Sequence, residues 1–143
     1  MAFGSTFEND LVKLIFNGTA IANIADNAAV APSTNLWVAL HTADPTGGTL
    51  GTNECSYAGY TRMAVARTSS GFAITNNVVA LNLNVDFPTA TSTSTGTITH
   101  ASIGLTSATT GGKMLTSGAV TPNINYGLNV IARLTTGSTF TLT

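Results

Sequence analysis

Between Val79 and Phe87 the side chains alternate without a break: Val79, Leu81, Leu83, Val85 and Phe87 share one parity, Ala80, Asn82, Asn84 and Asp86 the other, and Pro88 stops the run. Successive side chains of a strand point to opposite faces, so this spacing calls for a half-buried antiparallel strand with its apolar set turned inward. The same period recurs in Leu36, Val38 and Leu40 set against Trp37, Ala39 and His41, and after Pro122 in Ile124, Tyr126, Leu128, Val130, Ala132 and Leu134. Tyr60 to Arg67 reads as a strand with Met63 and Val65 on one face and Arg62 across from them. Thr97 to Leu105 and Lys113 to Val120 read as a hairpin about Ala108-Thr109-Thr110-Gly111-Gly112, and Thr139 to Thr143 closes the chain with Phe140 and Leu142 inward. About seven or eight strands between turn signals predict an all-β chain, an antiparallel β sandwich or jelly roll. Its core is predicted to hold Leu36, Val38, Leu40, Leu81, Leu83, Val85, Leu128 and Val130.

One stretch departs from this period. In residues 5 to 17, Phe7, Leu11, Leu14 and Ile15 fall on one helical stripe, Glu8 and Asp10 occupy the first turn where the helix dipole favours acids, and Asn17-Gly18 ends the run. The helix either closes an open end of the sandwich or serves as an arm that docks on a neighbouring subunit. Ala20 to Ser33 has no clear period and reads as an irregular connection. Residues 1–143 are thus expected to form one domain, with a helix over about 5–17 and a β domain over about 35–143.

Charge limits what such a domain can do. Charged residues make up 8% of the chain and the formal net charge is -1, against about 25% charged in an ordinary soluble domain. A surface so poor in charge has little protection against association, so it is expected to be covered by partners. Five basic residues, scattered along the chain, cannot supply the phosphate contacts of a nucleic-acid surface. Asn17-Gly18-Thr19 fits a glycosylation pattern, but no basic region followed by an apolar run points to a secretory route, and no apolar stretch is long enough to span a membrane. The lone cysteine, Cys55, excludes an internal disulfide framework and reads as a small loop residue.

The candidates for chemistry are few: His41, Asp44, Glu54, His100 and Ser102. No hydrolase elbow, metalloprotease helix or phosphate loop frames them. His41, Asp44 and Pro45 read instead as a structural turn in which Asp44 accepts hydrogen bonds from the following N–H groups and Pro45 stops the strand. Asn82, Asn84 and Asp86 lack the loop and carboxylates of a calcium site. No catalytic residue, cofactor or metal is assigned, and the chain is expected not to be an enzyme. Arg62 and Arg67 read as edge or interface salt-bridge donors, and Glu54 and Arg62 as the candidate charged anchors of an interface.

The run Leu40-His41-Thr42-Ala43-Asp44-Pro45, the Gly-rich loop with Asn53-Glu54, and Gly59-Tyr60-Thr61-Arg62 resemble the small virion structural proteins of tailed bacteriophages. Further matches lie at Phe87-Pro88-Thr89-Ala90-Thr91, Gly96-Thr97-Ile98-Thr99-His100 and Gly111-Gly112-Lys113-Met114-Leu115. Thr95 and Ala101-Ser102-Ile103-Gly104-Leu105-Thr106 depart from the aromatic and the Phe-Gly-Ile-Phe-Asp usual around the fourth of these. The resemblance implies a virion component assembled in the host cytoplasm. Together with the low charge it suggests a capsid decoration or cement protein that stabilises the particle as a homo-oligomer, dimer or trimer, against other virion proteins such as the major capsid protein. The alternative is a tail or tail-fibre component, receptor- or carbohydrate-binding. The loop Gly47 to Gly59 and the Ser/Thr-rich Thr89 to Thr97 are the expected contact segments.

Overall fold

The computed structural model describes residues 5–21 and 32–142. Most of the Ala20–Ser33 connection and the last residue of the closing strand lie outside the described residues. Among those described, one helix, α1 (Ser5–Asn17), precedes β1 (Asn35–His41), β2 (Met63–Ala66), β3 (Phe72–Thr75), β4 (Val78–Leu81), β5 (Val85–Asp86), β6 (Gly96–Gly104), β7 (Met114–Tyr126), β8 (Arg133–Leu134) and β9 (Thr139–Thr141). The protein is all-β with one short helix, and 39% of the described residues are in β structure. All strand pairs are antiparallel, in a four-stranded sheet of order β2-β1-β6-β7, a three-stranded sheet β3-β4-β9 and the pair β5-β8.

The register explains which residues fill the core. Val38 lies opposite Ile103 and Leu40 opposite Ala101, so Leu36, Val38, Leu40, Ala101 and Ile103 share one face. They join Phe72, Val79, Leu81 and Phe140 of the three-stranded sheet in a single buried cluster. The opposite face carries Ala39, His41 and Ser102, which are also fully buried. The long segment after β1 supplies the buried Leu50, Cys55 and Tyr57. The centre of the four-stranded sheet is therefore shut on both sides.

Three expectations about the strands need correcting. The run Val79–Phe87 is two strands: Asn82 N–H donates to the Gly71 carbonyl and its amide to Ser69, while Asn84 Oδ1 accepts from the N–H and hydroxyl of Thr136. These side-chain bonds bend the chain and turn Leu83 out to 36% exposure, while Val79, Leu81, Val85 and Phe87 stay buried. Pro122 does not end a strand, because β7 runs through it. Four residues, Val120 to Asn123, bulge opposite Thr99 between the paired positions 98/124 and 100/119. Proline is tolerated there because β7 is an edge strand. The chain then turns at Gly127–Val130 with Asn129 at φ 64, leaving Leu128 at 49% and Val130 at 37% exposure instead of in the core.

The helix is rotated from the expected stripe. Val12 and Phe16 are its buried residues, whereas Phe7, Leu11, Leu14 and Ile15 are only half-buried. Phe16 meets Phe72 edge-on at 5.7 Å between ring centres, so the helix lies on β3 of its own domain. Its end is fixed from outside: Thr19 N–H donates to the Lys13 carbonyl beyond Gly18 at φ 66. The Arg67 guanidinium donates to the Leu14 and Ile15 carbonyls. A cation on these carbonyls of the last turn complements the negative helix end. Arg67, expected as a salt-bridge donor, thus serves as a helix clamp.

Core truncation separates the two parities of the bent strand. Leu81→Ala is expected to cost about 2–5 kcal/mol, the usual range for a buried leucine. Leu83→Ala should cost about 1 kcal/mol or less. Urea unfolding of the two variants checks this, and equal losses would mean that Leu83 belongs to the core.

Candidate functional site

β1 organises the site because both of its edges are occupied along its length. On one side it pairs with β6. On the other it pairs first with β2 and then with residues 53–55, where Thr42 N–H donates to Asn53 O at 2.9 Å and Cys55 N–H to Leu40 O at 2.8 Å. The intervening chain folds back through a tight turn. Asp44 Oδ1 accepts from Thr46 N–H at 2.8 Å, and Thr46 holds the carboxyl below the usual carboxylate range. Gly48 N–H closes on the Pro45 carbonyl at 2.9 Å with Gly47 at φ 77, a backbone conformation glycine adopts without steric cost. Asn53 Nδ2 donates to the Asp44 carbonyl at 2.9 Å.

His41 sits at the end of β1, fully buried. Its Nδ1 lies 2.8 Å from the Thr52 carbonyl and its Nε2 2.7 Å from Ser102 Oγ. A carbonyl can only accept, so Nδ1 carries the proton and Nε2 accepts from the serine hydroxyl. Burial pushes the pKa of His41 below its ordinary value, a shift the Thr52 bond and Glu54 partly oppose. Serine, imidazole and carbonyl stand in the order of an activated nucleophile. Yet His41 and Ser102 are both 0% exposed, and no substrate atom can reach the hydroxyl without opening the sheet. What the bond does in this fold is tie β1 to β6 and to the returning loop.

Beside it lies a charged pair. Arg62 Nε and Nη2 donate to the two oxygens of Glu54, each at 2.7 Å, and the side chains are 0% and 6% exposed. Tyr60 Oη donates to Glu54 Oε1 and accepts from Leu40 N–H, both at 3.0 Å; burial and the neighbouring carboxylate push the phenol pKa up. The rest of the guanidinium reaches the carbonyls of Thr106 at 3.1 Å and Gly111 at 3.2 Å. The network therefore holds four pieces of chain together: β1, the loop at Glu54, the start of β2 and the β6–β7 turn.

The five candidates for chemistry are not assembled into one centre. His41 and Ser102 meet, Glu54 turns to Arg62, Asp44 to Thr46, and His100 pairs through Nδ1 with Thr99 at 2.9 Å. Glu54 and Arg62, expected to anchor a partner, are inside the domain and satisfied by each other. Cys55 is buried and its thiol is pushed up to about 12 by burial and Glu54, so it is not a ready nucleophile. Among the described residues no group of three His, Cys, Asp or Glu is placed to hold a metal. The residue sequence reasoning missed is Tyr60, the hub joining β1 to the ion pair. Its signal was the shared parity of Tyr60 and Arg62 at the start of a strand.

Fold and site together define a small β domain whose polar interior is spent on fixing loops. The chain belongs to the Gp80 family, described as "Podophage GP4 fiber I protein gp80", whose model matches residues 2–140. It is a structural protein of the tailed-phage virion. No curated protein matches the chain.

Two measurements test the network. Removing one partner of the ion pair, as in Arg62→Met, should cost about 3–5 kcal/mol because a buried carboxylate is left unpaired. Replacing both, as in Glu54→Leu with Arg62→Met, should recover much of that loss, which a double-mutant cycle in urea would show. The second concerns pH. His41 has a folded pKa below 6.5, so above that pH both states hold it neutral and stability is unaffected. As pH falls below about 6.5 the unfolded chain takes up a proton that the folded site resists, and stability declines until pH reaches the folded value. Unfolding curves between pH 7.5 and 5 should show this slope in the wild type and a smaller one in His41→Gln.

Proposed function

We propose that the protein is a non-enzymatic component of a podophage tail fibre, present as a homo-oligomer in contact with other virion proteins. The observation that carries this reading is the family match, which covers residues 2–140 and so nearly the whole chain. It favours the tail-fibre alternative over the capsid decoration role first suggested by the low charge. The site supports the same reading: its histidine, serine, carboxylate and guanidinium all bond within the domain, which stiffens loops and leaves no open reactive group there. A fibre subunit transmits load and presents surface, and both need loops that hold their shape.

Counting copies per virion tests the assignment. A fibre component should be present at roughly three to a dozen copies by closed symmetry, with antibody label on the tail. Particles lacking it should keep intact, DNA-filled heads and lose adsorption to host cells. Hundreds of copies spread over the head, with fragile particles on removal, would restore the decoration reading.

A further inference from the structure

The network that fixes the loops also walls a cleft of about 350 Å³. It lies between the segment after β1 and the β6–β7 turn, lined by Gly51, Glu54, Ser56, Tyr57, Tyr60 and Thr109. Ligand sites commonly span about 300 to 1,000 Å³. The walls are tied together behind the cleft: Leu50 N–H donates to the Gly112 carbonyl at 3.0 Å, and Arg62 donates to the carbonyls of Thr106 and Gly111. Gly51 sits so near the turn that a Cβ there would come within 2.9 Å of Gly111 N. The cleft is therefore formed before anything enters it, and binding does not have to order its walls.

The lining carries two kinds of surface. Tyr57 and Tyr60, edge to face at 5.2 Å between ring centres, supply aromatic carbon. Burial keeps both phenols neutral, pushing Tyr57 up to about 12. The polar groups are incompletely bonded. A carboxylate offers about four acceptor sites. Glu54 Oε1 uses two, on Tyr60 Oη and Arg62 Nε, whereas Oε2 uses one, on Arg62 Nη2. One acceptor site is thus left on Oε2. The hydroxyls of Ser56 and Thr109 form no hydrogen bond with the described residues. Charge narrows what can use these groups. Among the described residues Glu54 is the one charged member of the lining, and Arg62 neutralises it at 2.7 Å. An anion would meet the carboxylate, and a cation gains little from a charge already paired. What fits is a neutral molecule with hydroxyls on its rim and C–H groups on its faces.

We infer that this cleft binds a neutral sugar ring. Glu54 Oε2 accepts from one ring hydroxyl, Ser56 and Thr109 bond to its neighbours, and the half-buried Tyr60 packs against the C–H groups. The ion pair then has a second consequence: by fixing the loop at Glu54 against the β6–β7 turn, it sets the distance between the groups that grip the ring. The inference deepens the fibre reading and rests on it for an occasion to meet the sugars of a cell surface.

The test uses the full chain, with backbone amides assigned by NMR. The probes are the methyl glycosides of glucose, galactose and mannose and the O-polysaccharide released from a host strain, each titrated to about 50 mM in sugar units so that millimolar dissociation constants are covered. At least one should shift the amides of Gly51, Ser56, Tyr60 and Thr109 and leave those of β3 and β4 in place. Ser56→Ala with Thr109→Ala changes two exposed residues outside the ion pair. It should keep the fold and weaken binding about tenfold, the effect of losing two neutral hydrogen bonds. Silence with every probe overturns the inference, as do shifts confined to other surfaces or an unchanged affinity in the folded double variant. An equal response to acetate or to ammonium ion would show a charge site and overturn it too. Binding of the glycosides without the polysaccharide assigns the ligand to free sugar and upholds the cleft. Should the double variant fail to fold, the wild-type shifts decide. Fibre location is read separately by antibody label. Tail-labelled protein whose cleft takes no sugar sinks this inference alone, and sugar binding by head-labelled protein sinks the fibre reading alone.

Discussion

The Arg62–Glu54 pair is the interaction on which the rest depends, because it places two opposite charges where little water reaches. Desolvating them is costly, and the cost is offset only if every donor and lone pair finds a partner. The structure meets that demand with backbone and side-chain groups drawn from distant parts of the sequence: Tyr60, Thr106 and Gly111. The pair therefore acts as a constraint on topology. The loop after β1 must return beside His41, β2 must start where Arg62 reaches inward, and the β6–β7 turn must close over both. Leu50 N–H bonding to the Gly112 carbonyl at 3.0 Å and the buried Leu50 side chain complete the seal. A hydrophobic contact would tolerate sliding among these pieces, whereas a bidentate guanidinium fixes their angles.

The same constraint explains why a domain so rich in turns is ordered. The segment from Thr42 to Arg62 has no strand of its own, yet it covers one face of the central sheet and contributes Tyr57 to an aromatic cluster with Tyr60 and Tyr126. The tyrosines keep their hydroxyls satisfied, Tyr57 on the Pro88 carbonyl and Tyr60 on Glu54, so they fill space without leaving a buried polar atom. The loop Gly47 to Gly59 is held in shape by bonds within its own domain. Among the described residues, the large apolar side chains left exposed include Leu128, Val130 and Ile131, on and just after the turn that follows β7.

Much of the fold was legible because period two reports burial directly. Leu36, Val38, Leu40, Leu81 and Val85 needed only their own spacing to be placed. Leu83 was misplaced because the bend depends on Asn82 and Asn84 bonding to Ser69, Gly71 and Thr136, partners whose nearness no local pattern records. Pro122 reads as a strand end because proline lacks a donor. Whether that matters depends on which edge the donor would face, and only sheet order decides it. The helix stripe was rotated because residues 5 to 17 are apolar around more than one face, and the position of Phe72 selects Phe16. In the site, the Asp44 turn is local and could be read from sequence. The His41–Ser102 bond joins residues 61 apart and belongs to the register of β1 on β6, which sequence alone does not give.

Low charge gains its meaning from where the few charges lie. Glu54 and Arg62 are spent inside. Arg67 is spent on helix carbonyls, and Asp86 and Arg133 pair with each other across β5 and β8. The exterior is thus poorer in free charge than the composition itself suggests. Water-facing Thr, Ser and Asn keep such a surface wetted, but they do not repel a copy of themselves, and their backbone and side-chain groups exchange solvent bonds for protein bonds at small cost. In a protein that must stay single this would be a hazard at every strand edge. Here the edges of β2, β3 and β9 are only three or four residues long, too short to hold a partner strand firmly. The edge of β7 is longer, but register shifts at Leu115 and at Val120–Asn123 break it, and its longest regular run, Thr116–Ala119, is no longer than those.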